Sequence, residues 1–567
     1  VTPNEPRASL DCRRPRSEAL LDRALLPPAR IPAITSFPRT VVARPMPLLL
    51  RYLLVLLAAV GPIGIVSATA ACQHQPPPHT ASPFLPSSHW AVAAARRLAS
   101  LDLANPDFGW GDGSLTILAV GRVLHDAPAI AQRKHHELEP LASGYWLQFA
   151  REFPLTAATV QQRPARRDAD LAEGWVAAGY SAASGRIHPV RSLDRTRENV
   201  DGPFPRSDLS EAALSTNLGF TIGRYIAGSL SPEHRDGDWG LREGYALLDV
   251  KKIGIWGGRY APTFATGEGG GIVLNGTASF TGGGLTLTEP IRLPWIFRYI
   301  GAIRYETFLS RLDSNATIPR PWFFATHASI SPHPRVLIGV TQAFMFGGDG
   351  VAPFTWNNFK EMFLTHGLQS AGTEFENGLA SGEIRFRPPI PRVPLTLYME
   401  WGADDNHAAW TLFPGRVFGA QIPAVPGIPA LSLGLEHAGF SRPCTGCDGC
   451  HCEYYATWYR HYLFKDGWTV DRQPIGHPLG GEGGEWLAYG TWHDPASRFR
   501  FDARAFRRNR GSYNLYSPDR EGHSTGGQVS TVYRASSNVD LLMRGALEDG
   551  EAGWRESSIF AGLRWIF

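Results

Sequence analysis

Charge is the first thing this 567-residue sequence is short of. Asp, Glu, Lys and Arg together make up 19%, and 55 basic side chains nearly cancel 52 acidic ones to leave +3. A chain so close to neutrality has no general electrostatic reason to bind nucleic acid. Long apolar runs are also missing. The run Tyr52–Val60 is broken soon after by Pro62 and Gly64, too short for the ~20 residues of a membrane-spanning helix. The short catalytic signatures are absent too, with no G-x-S-x-G elbow and no G-x-x-x-x-G-K phosphate loop. His135-His136-Glu137 lacks the spacing of a zinc-protease helix, and Asp107-Phe108-Gly109 stands in no kinase context. Cysteine is scarce, with six in all.

What is abundant points the other way. Sixty glycines and 45 prolines oppose long helices and coiled coils, while 43% apolar content opposes wholesale disorder. The composition predicts a β-rich, turn-rich protein with 11% aromatic residues.

The amino end reads as processing rather than fold. Residues 1–45 scatter prolines among arginines without a period and are expected to be a leader or a mis-assigned start. Residues 46–70 carry Arg51, a short apolar core and Ala68-Thr69-Ala70, the parts of a secretory signal peptide. Cleavage after Ala70 removes nine basic and four acidic side chains, so the slight positive charge turns slightly negative. Cys72 raises lipidation as a second reading, with Thr69 where such sites usually carry Leu.

From His89 to about Pro154 the spacing is helical. Ala91, Ala94, Ala95 and Leu98 follow the candidate caps Ser87 and Ser88, and stretches at Leu115–His125 and Leu138–Phe153 come next. Residues 71–165 are therefore expected to form a small helical bundle. Across 166–567 the period switches to two. Phe499, Phe501, Ala503 and Ala505 share one face, and Arg498, Arg500, Asp502 and Arg504 the other. Ile559, Ala561, Leu563, Trp565 and Phe567 align at the carboxyl end. Counted back from Phe567, connections alternate between long (548–556, 508–525, 441–484) and short (Ala535–Asn538, Asp494–Ser497). That alternation predicts a transmembrane barrel with tight periplasmic turns and long surface loops, because a bilayer tolerates no open sheet edge. Charged faces then point to a wet lumen, and Phe, Leu and Trp to lipid.

Several blocks resemble the Wzi-like capsule-assembly proteins, outer-membrane lectins of Gram-negative bacteria. Gly257-Gly258-Arg259-Tyr260-Ala261-Pro262 with Gly269-Gly270-Gly271-Ile272-Val273-Leu274-Asn275 is similar to that family's glycine-rich segment. Leu397–Asp405 is similar to its Tyr-x-(Gln/Glu)-x-Gly-x-Asp-Asp block, and Gly467, Ile475-Gly476-His477 and Gly480-Gly481 to its Ile-Gly-His loop. The resemblance spans roughly 85–567. It implies about 18 antiparallel strands and a periplasmic helical bundle closing one end. It also implies binding of capsular or extracellular polysaccharide at the cell surface, with no catalysis and no cofactor. Outer-membrane lipid and, during biogenesis, the barrel-assembly machinery are the other partners expected.

Candidate sites follow from these blocks. Paired carboxylates can be acid and base, metal ligands or acceptors of hydroxyls. In a polysaccharide-binding barrel, Glu400, Asp404 and Asp405 would accept sugar hydroxyls, Trp401 and Trp410 would stack on pyranose faces, and His477 joins from the Ile-Gly-His loop. The plainer alternative is a solvated rim. Cys444, Cys447, Cys450 and Cys452 invite a zinc reading. The loop's expected position outside the cell favours two structural disulfides, in one of three pairings, and no metal. The Arg-rich face at Arg498, Arg500 and Arg504 keeps a passive porin as the alternative, and Glu400 with Asp404 or Asp405 keeps a hydrolase as a remoter one.

Overall fold

The computed structural model describes residues 81–161, 169–184, 211–235, 238–312, 314, 316–351, 355–360, 376–390, 393–404, 415–440, 458–461, 463–470 and 473–567, all within the compact unit Gln75–Phe567. The expected leader and signal peptide, Cys72, Asp405, Trp410 and the cluster Cys444, Cys447, Cys450 and Cys452 lie outside the described residues.

Four helices come first: α1 Trp90–Ser100, α2 Ile117–Lys134, α3 Glu139–Glu152 and α4 Pro154–Val160. The cap of α1 is not Ser87 or Ser88 but His89, whose Nδ1 accepts from the Ala91 amide at 3.3 Å. Thr116 caps α2 through its hydroxyl, and that helix runs past Pro128 to Lys134, longer than the sequence pattern implied. No side chain of its own caps α4. Instead Glu173, from the barrel wall, accepts from the Leu155 and Thr156 amides at 2.9 and 3.0 Å, placing negative charge where orphan N–H groups and the helix dipole favour it. Leu98, Val120, Leu124, Leu141, Tyr145 and Phe149 meet in one buried cluster.

Eighteen long antiparallel strands then close on themselves. In chain order they are β1 Ala169–Ser184, β2 Glu211–Ile222, β3 Ile226–Arg235, β4 Asp238–Val250, β5 Ile253–Tyr260, β6 Phe280–Leu287, β7 Ala302–Arg311, β8 Trp322–His333 and β9 Val336–Phe346. The second half comprises β10 Glu376–Phe386, β11 Thr396–Asp404, β12 Gly415–Ile422, β13 Leu431–Phe440, β14 Gly483–His493, β15 Phe499–Arg510, β16 Gly522–Arg534, β17 Val539–Gly550 and β18 Arg555–Ile566. The seam joins β18 to β1, with Ile566 opposite Trp175 and Ser557 opposite Ser184.

Alternation sorts the two faces. On β11, Thr396, Tyr398 and Glu400 are buried, while Leu397 on the other face is exposed. Ile255, Leu309, Val340, Leu435, Met543 and Ile559 are likewise exposed on the outer wall. Such a girdle of exposed aliphatic side chains suits lipid, and closure leaves no unpaired edge within it. The expectation of a wet lumen fails at Phe308. It points inward, where Trp256, Phe280 and Phe323 surround it with ring centroids 5.2 to 6.1 Å away. The upper lumen is a packed apolar core rather than a wet channel, so an aromatic residue belongs there.

Both barrel termini and the tight turns 223–225, 251–252, 334–335, 494–498 and 535–538 share the end that holds the bundle. Short and long connections alternate over β13–β18 as expected, although β17 and β18 run on and shrink their loop to 551–554. The rule breaks elsewhere. The outer connection 236–237 has two residues, and the inner connection 288–301 has fourteen. That inner segment exposes Trp295 (85%), Ile296, Phe297 and Tyr299 at the rim, where amphipathic rings suit a membrane–water boundary.

Candidate functional site

The bundle closes its end of the barrel through contacts that alternate charge with backbone. Glu152 of α3 accepts from Trp90 Nε1 at 2.7 Å and lies 2.9 Å from His89 Nε2 and 3.2 Å from Arg564 Nη1. Arg564, on the last strand, also donates to Asp540 at 2.6 Å, and Arg151 reaches the same carboxylate at 2.7 Å. Burial alone would raise the Glu152 carboxyl, but Arg564 and His89 outweigh it and hold it well below the carboxylate range. The turns reach inward as well. Arg387 donates to Ala99 O at 2.7 Å, Arg97 to Pro429 O at 2.7 Å and Ser497 to Gly144 O at 2.5 Å. A glycine-rich turn at 109–114 penetrates further. There Ser114 donates through both its amide and its hydroxyl to Glu306, and Asp112 meets His327, Ser329 and Arg304.

The opposite end is closed by loops. Segments 261–279, 458–461, 463–470 and 473–482 fold into the lumen, placing Phe264, Ile272, Leu274, Trp458, Trp468 and Leu479 in one core with the wall. Irregular backbone inside a barrel needs partners for its polar groups, and three carboxylates on neighbouring strands supply them. Glu436 accepts from the Glu268 and Gly269 amides at 2.7 and 2.9 Å, Glu400 from the Ile272 amide at 3.1 Å, and Glu383 from the Thr266 hydroxyl. A Cβ on Gly269 would lie 2.6 Å from Glu436 Oε1, so a larger residue there would push this carboxylate away from the amides it serves. The two loops then lock to each other. Asn275 Nδ2 donates to Pro474 O at 3.0 Å and Gly476 O at 2.6 Å, and Trp468 Nε1 to Val273 O at 3.0 Å. The Tyr459 hydroxyl donates to Ile272 O at 2.6 Å and accepts from the His477 amide at 2.9 Å.

Three candidates from the sequence therefore converge on this lid. Glu400 is 1% exposed and engaged by Ile272 and by Ser381 Oγ at 2.8 Å. Asp404 is buried and accepts from the Tyr459 amide at 2.8 Å. His477 is fully buried. Its Nδ1 accepts from Leu479 at 3.1 Å, and burial pushes the imidazole down to about 4, so it is neutral at any physiological pH. Trp401 stands apart. It alternates with Glu400 on β11, is half-buried, and lies on the outer face against Gly382. Glu383, Glu436 and Tyr459 escaped the sequence reading, and Asn275 entered it only as the end of the glycine-rich block. The two glutamates carried a usable signal, since each is a carboxylate on the inward face of an alternating strand. Tyr459 carried none.

Comparison with known proteins gives a consistent picture. The family described as capsule assembly protein Wzi matches residues 191–557. A comparison with curated proteins finds no match. Among solved structures, the chain resembles Wzi of Escherichia coli, described as an outer-membrane protein involved in group 1 capsule assembly and a carbohydrate-binding β-barrel. The TM-score is 0.61 at 15% identity, covering 86% of this chain and all of that one. Pseudomonas aeruginosa OpdO (TM-score 0.43, 13% identity, 70% of this chain and 97% of that one) and OpdQ (0.40, 11%, 70% and 98%) are more distant.

Proposed function

Because the chain belongs to the capsule assembly protein Wzi family, we propose that it is a non-enzymatic outer-membrane barrel that binds surface polysaccharide and helps assemble or attach a capsule. The observation that carries this reading is the double obstruction of the lumen. A helical bundle fills one end and two interlocked loops fill the other, leaving the outer loop surface as the face available to a polymer. A porin needs a continuous wet path, which the core around Phe308, Phe323 and Trp468 interrupts. A hydrolase needs two accessible carboxylates across a cleft, whereas Glu400 is spent on holding the Ile272 backbone. Asp405 and Trp410, close in sequence to the lid strand, remain candidates for sugar contact.

The test is capture of purified capsular polysaccharide by the detergent-solubilised protein, alongside deletion of the gene. Saturable capture and release of polysaccharide from the deletion strain are expected. No capture together with normal capsule retention would overturn the proposal. Planar-bilayer recording should give no steady current.

A further inference from the structure

We infer that the barrel lumen contains a second, internal site for an acidic sugar unit, walled by arginines and tyrosines between the bundle and the lid. A chamber of about 190 Å³ separates α1 from the Thr266–Glu268 stretch and is bounded by the inner faces of β10–β18. Sites that enclose drug-sized ligands typically offer roughly 300–1,000 Å³, so the chamber suits a single sugar ring rather than an oligosaccharide.

The charge of the walls is one-sided. Arg96, Arg97, Arg385, Arg500, Arg504 and Arg544 border the chamber, against the carboxylates of Asp502 and Glu268. Neighbours hold several of these cations in place. Arg97 donates to Pro429 O at 2.7 Å and to the Tyr145 hydroxyl at 2.8 Å, Arg385 to Thr266 O at 3.1 Å, and Arg500 Nε lies 3.2 Å from Asp502. Arg504 differs. Its Nη1 is shielded from solvent and has no hydrogen-bond partner, and the same holds for Arg385 Nε and for both ring nitrogens of His493. Shielded donors left unpaired are costly, and a guanidinium is best satisfied by a planar carboxylate.

The remaining wall is not that of a simple anion hole. Trp90, Tyr145, Tyr398 and Tyr489 line it with aromatic surface, and Gln421 and Gln528 with amide side chains. Aromatic bodies with polar tips and planar amides suit a hydroxylated ring with an apolar face. An inorganic anion would leave those walls unused, and a neutral sugar would leave Arg504 unmet. A ring bearing one carboxylate, as in a uronic acid, meets both. For its sugar class the inference rests on the polysaccharide reading, but its place is different, since a polymer cannot thread a lumen obstructed at both ends. A dead-ended chamber can still exchange a small ligand without conducting ions.

The experiment is equilibrium titration of the full-length, detergent-solubilised protein with D-glucuronate, D-glucose and inorganic phosphate, read by calorimetry and thermal shift. D-Glucuronate should bind saturably, and glucose and phosphate each about ten-fold more weakly or worse. Arg504→Gln should weaken glucuronate about ten-fold while leaving polysaccharide capture intact. Arg544→Gln serves as a second variant should the first fail to fold. Absence of saturable glucuronate binding overturns the inference, as does equal binding by the folded variants. Phosphate binding as tight as glucuronate also overturns it, by reducing the chamber to an anion hole. Loss of polysaccharide capture with glucuronate binding retained would count against the outer-surface reading instead.

Discussion

The two ends of this barrel are closed by opposite means. The bundle brings its own order. Its helices satisfy most of their backbones internally, the first amides of α4 on Glu173 excepted, build a local core, and meet the wall chiefly through side chains such as Arg564 and Arg387. The lid brings almost none. The described residues of 261–279 and 458–482 form no element longer than the paired two-residue strands Thr469–Val470 and Gln473–Pro474, and their amides and carbonyls are met by wall carboxylates and by each other. A preformed element can be docked with a few strong ion pairs, whereas an irregular one needs a partner for each buried polar group. The bundle should therefore fail at single charged contacts and the lid more gradually.

Arg564→Ala should break the comparison most sharply. It leaves Glu152 and Asp540 buried beside the seam with Arg564's charge gone. Removing one member of a buried pair typically costs about 3–5 kcal/mol. The bundle should become sensitive to trypsin while the barrel keeps its resistance to heat in SDS. A bundle as protected as in wild type would mean that apolar packing, not charge, seats it.

Glu436→Ala should open the other end less severely. The amides of Glu268 and Gly269 and the Tyr398 hydroxyl lose their acceptor, at roughly 1–3 kcal/mol for each donor that water does not reach. Because Glu400 and Glu383 still hold the same segment, faster amide exchange confined to 265–272 is expected, without steady conductance. Combining Glu436→Ala with Arg564→Ala should yield channel openings that neither gives alone.

The same contrast decides what could be read from sequence. The bundle was legible because a 3.6-residue stripe such as Ala91, Ala94, Ala95 and Leu98 encodes both a helix and its buried face. The strands were legible for the same reason at period two. The lid was not, because a loop's partners lie in strands far along the chain: Glu268 finds Glu436, and Tyr459 finds Asp404 and Ile272. The carboxylates were visible as residues, but whether a sugar or a backbone amide would occupy them depends on which loop folds inward. The tight turn at Lys251-Lys252 was equally silent. Both residues take positive φ, 52° and 77°, the left-handed geometry of two-residue hairpins, without the Asn-Gly that usually announces it.

Acidification should loosen both ends, because in the lid the buried His477, pushed down to about 4, is subject to the same linkage as the bundle's titrating pair. Burial lowers the His89 imidazole below its ordinary 6.5, and Glu152, with Arg564 and His89 outweighing burial, sits below its ordinary 4.5. In both cases the unfolded chain binds more protons, so stability falls as pH falls. The His89 contribution is complete above about 6.5 and declines below it, and the Glu152 contribution declines below about 4.5. Amide exchange followed from pH 7 downwards should show α1, α3 and the backbone around His477 losing protection over the same range. A bundle that holds while the lid exchanges would mean that the pair His89 and Glu152 does not control its docking.

The smallest expected effect isolates the bundle's internal order from its docking. Thr116→Ala removes the hydroxyl that accepts from the Ala119 amide at 3.2 Å and touches no residue of the lid or the seam. Loss of an N-cap costs about 1 kcal/mol, concentrated in the first turn of α2. Exchange should rise there alone, with trypsin resistance, heat resistance and polysaccharide capture unchanged. The bundle is self-ordered, so a local defect should remain local. If α1 and α3 loosened in step, the four helices would be a single cooperative unit whose order depends on docking as much as the lid's does.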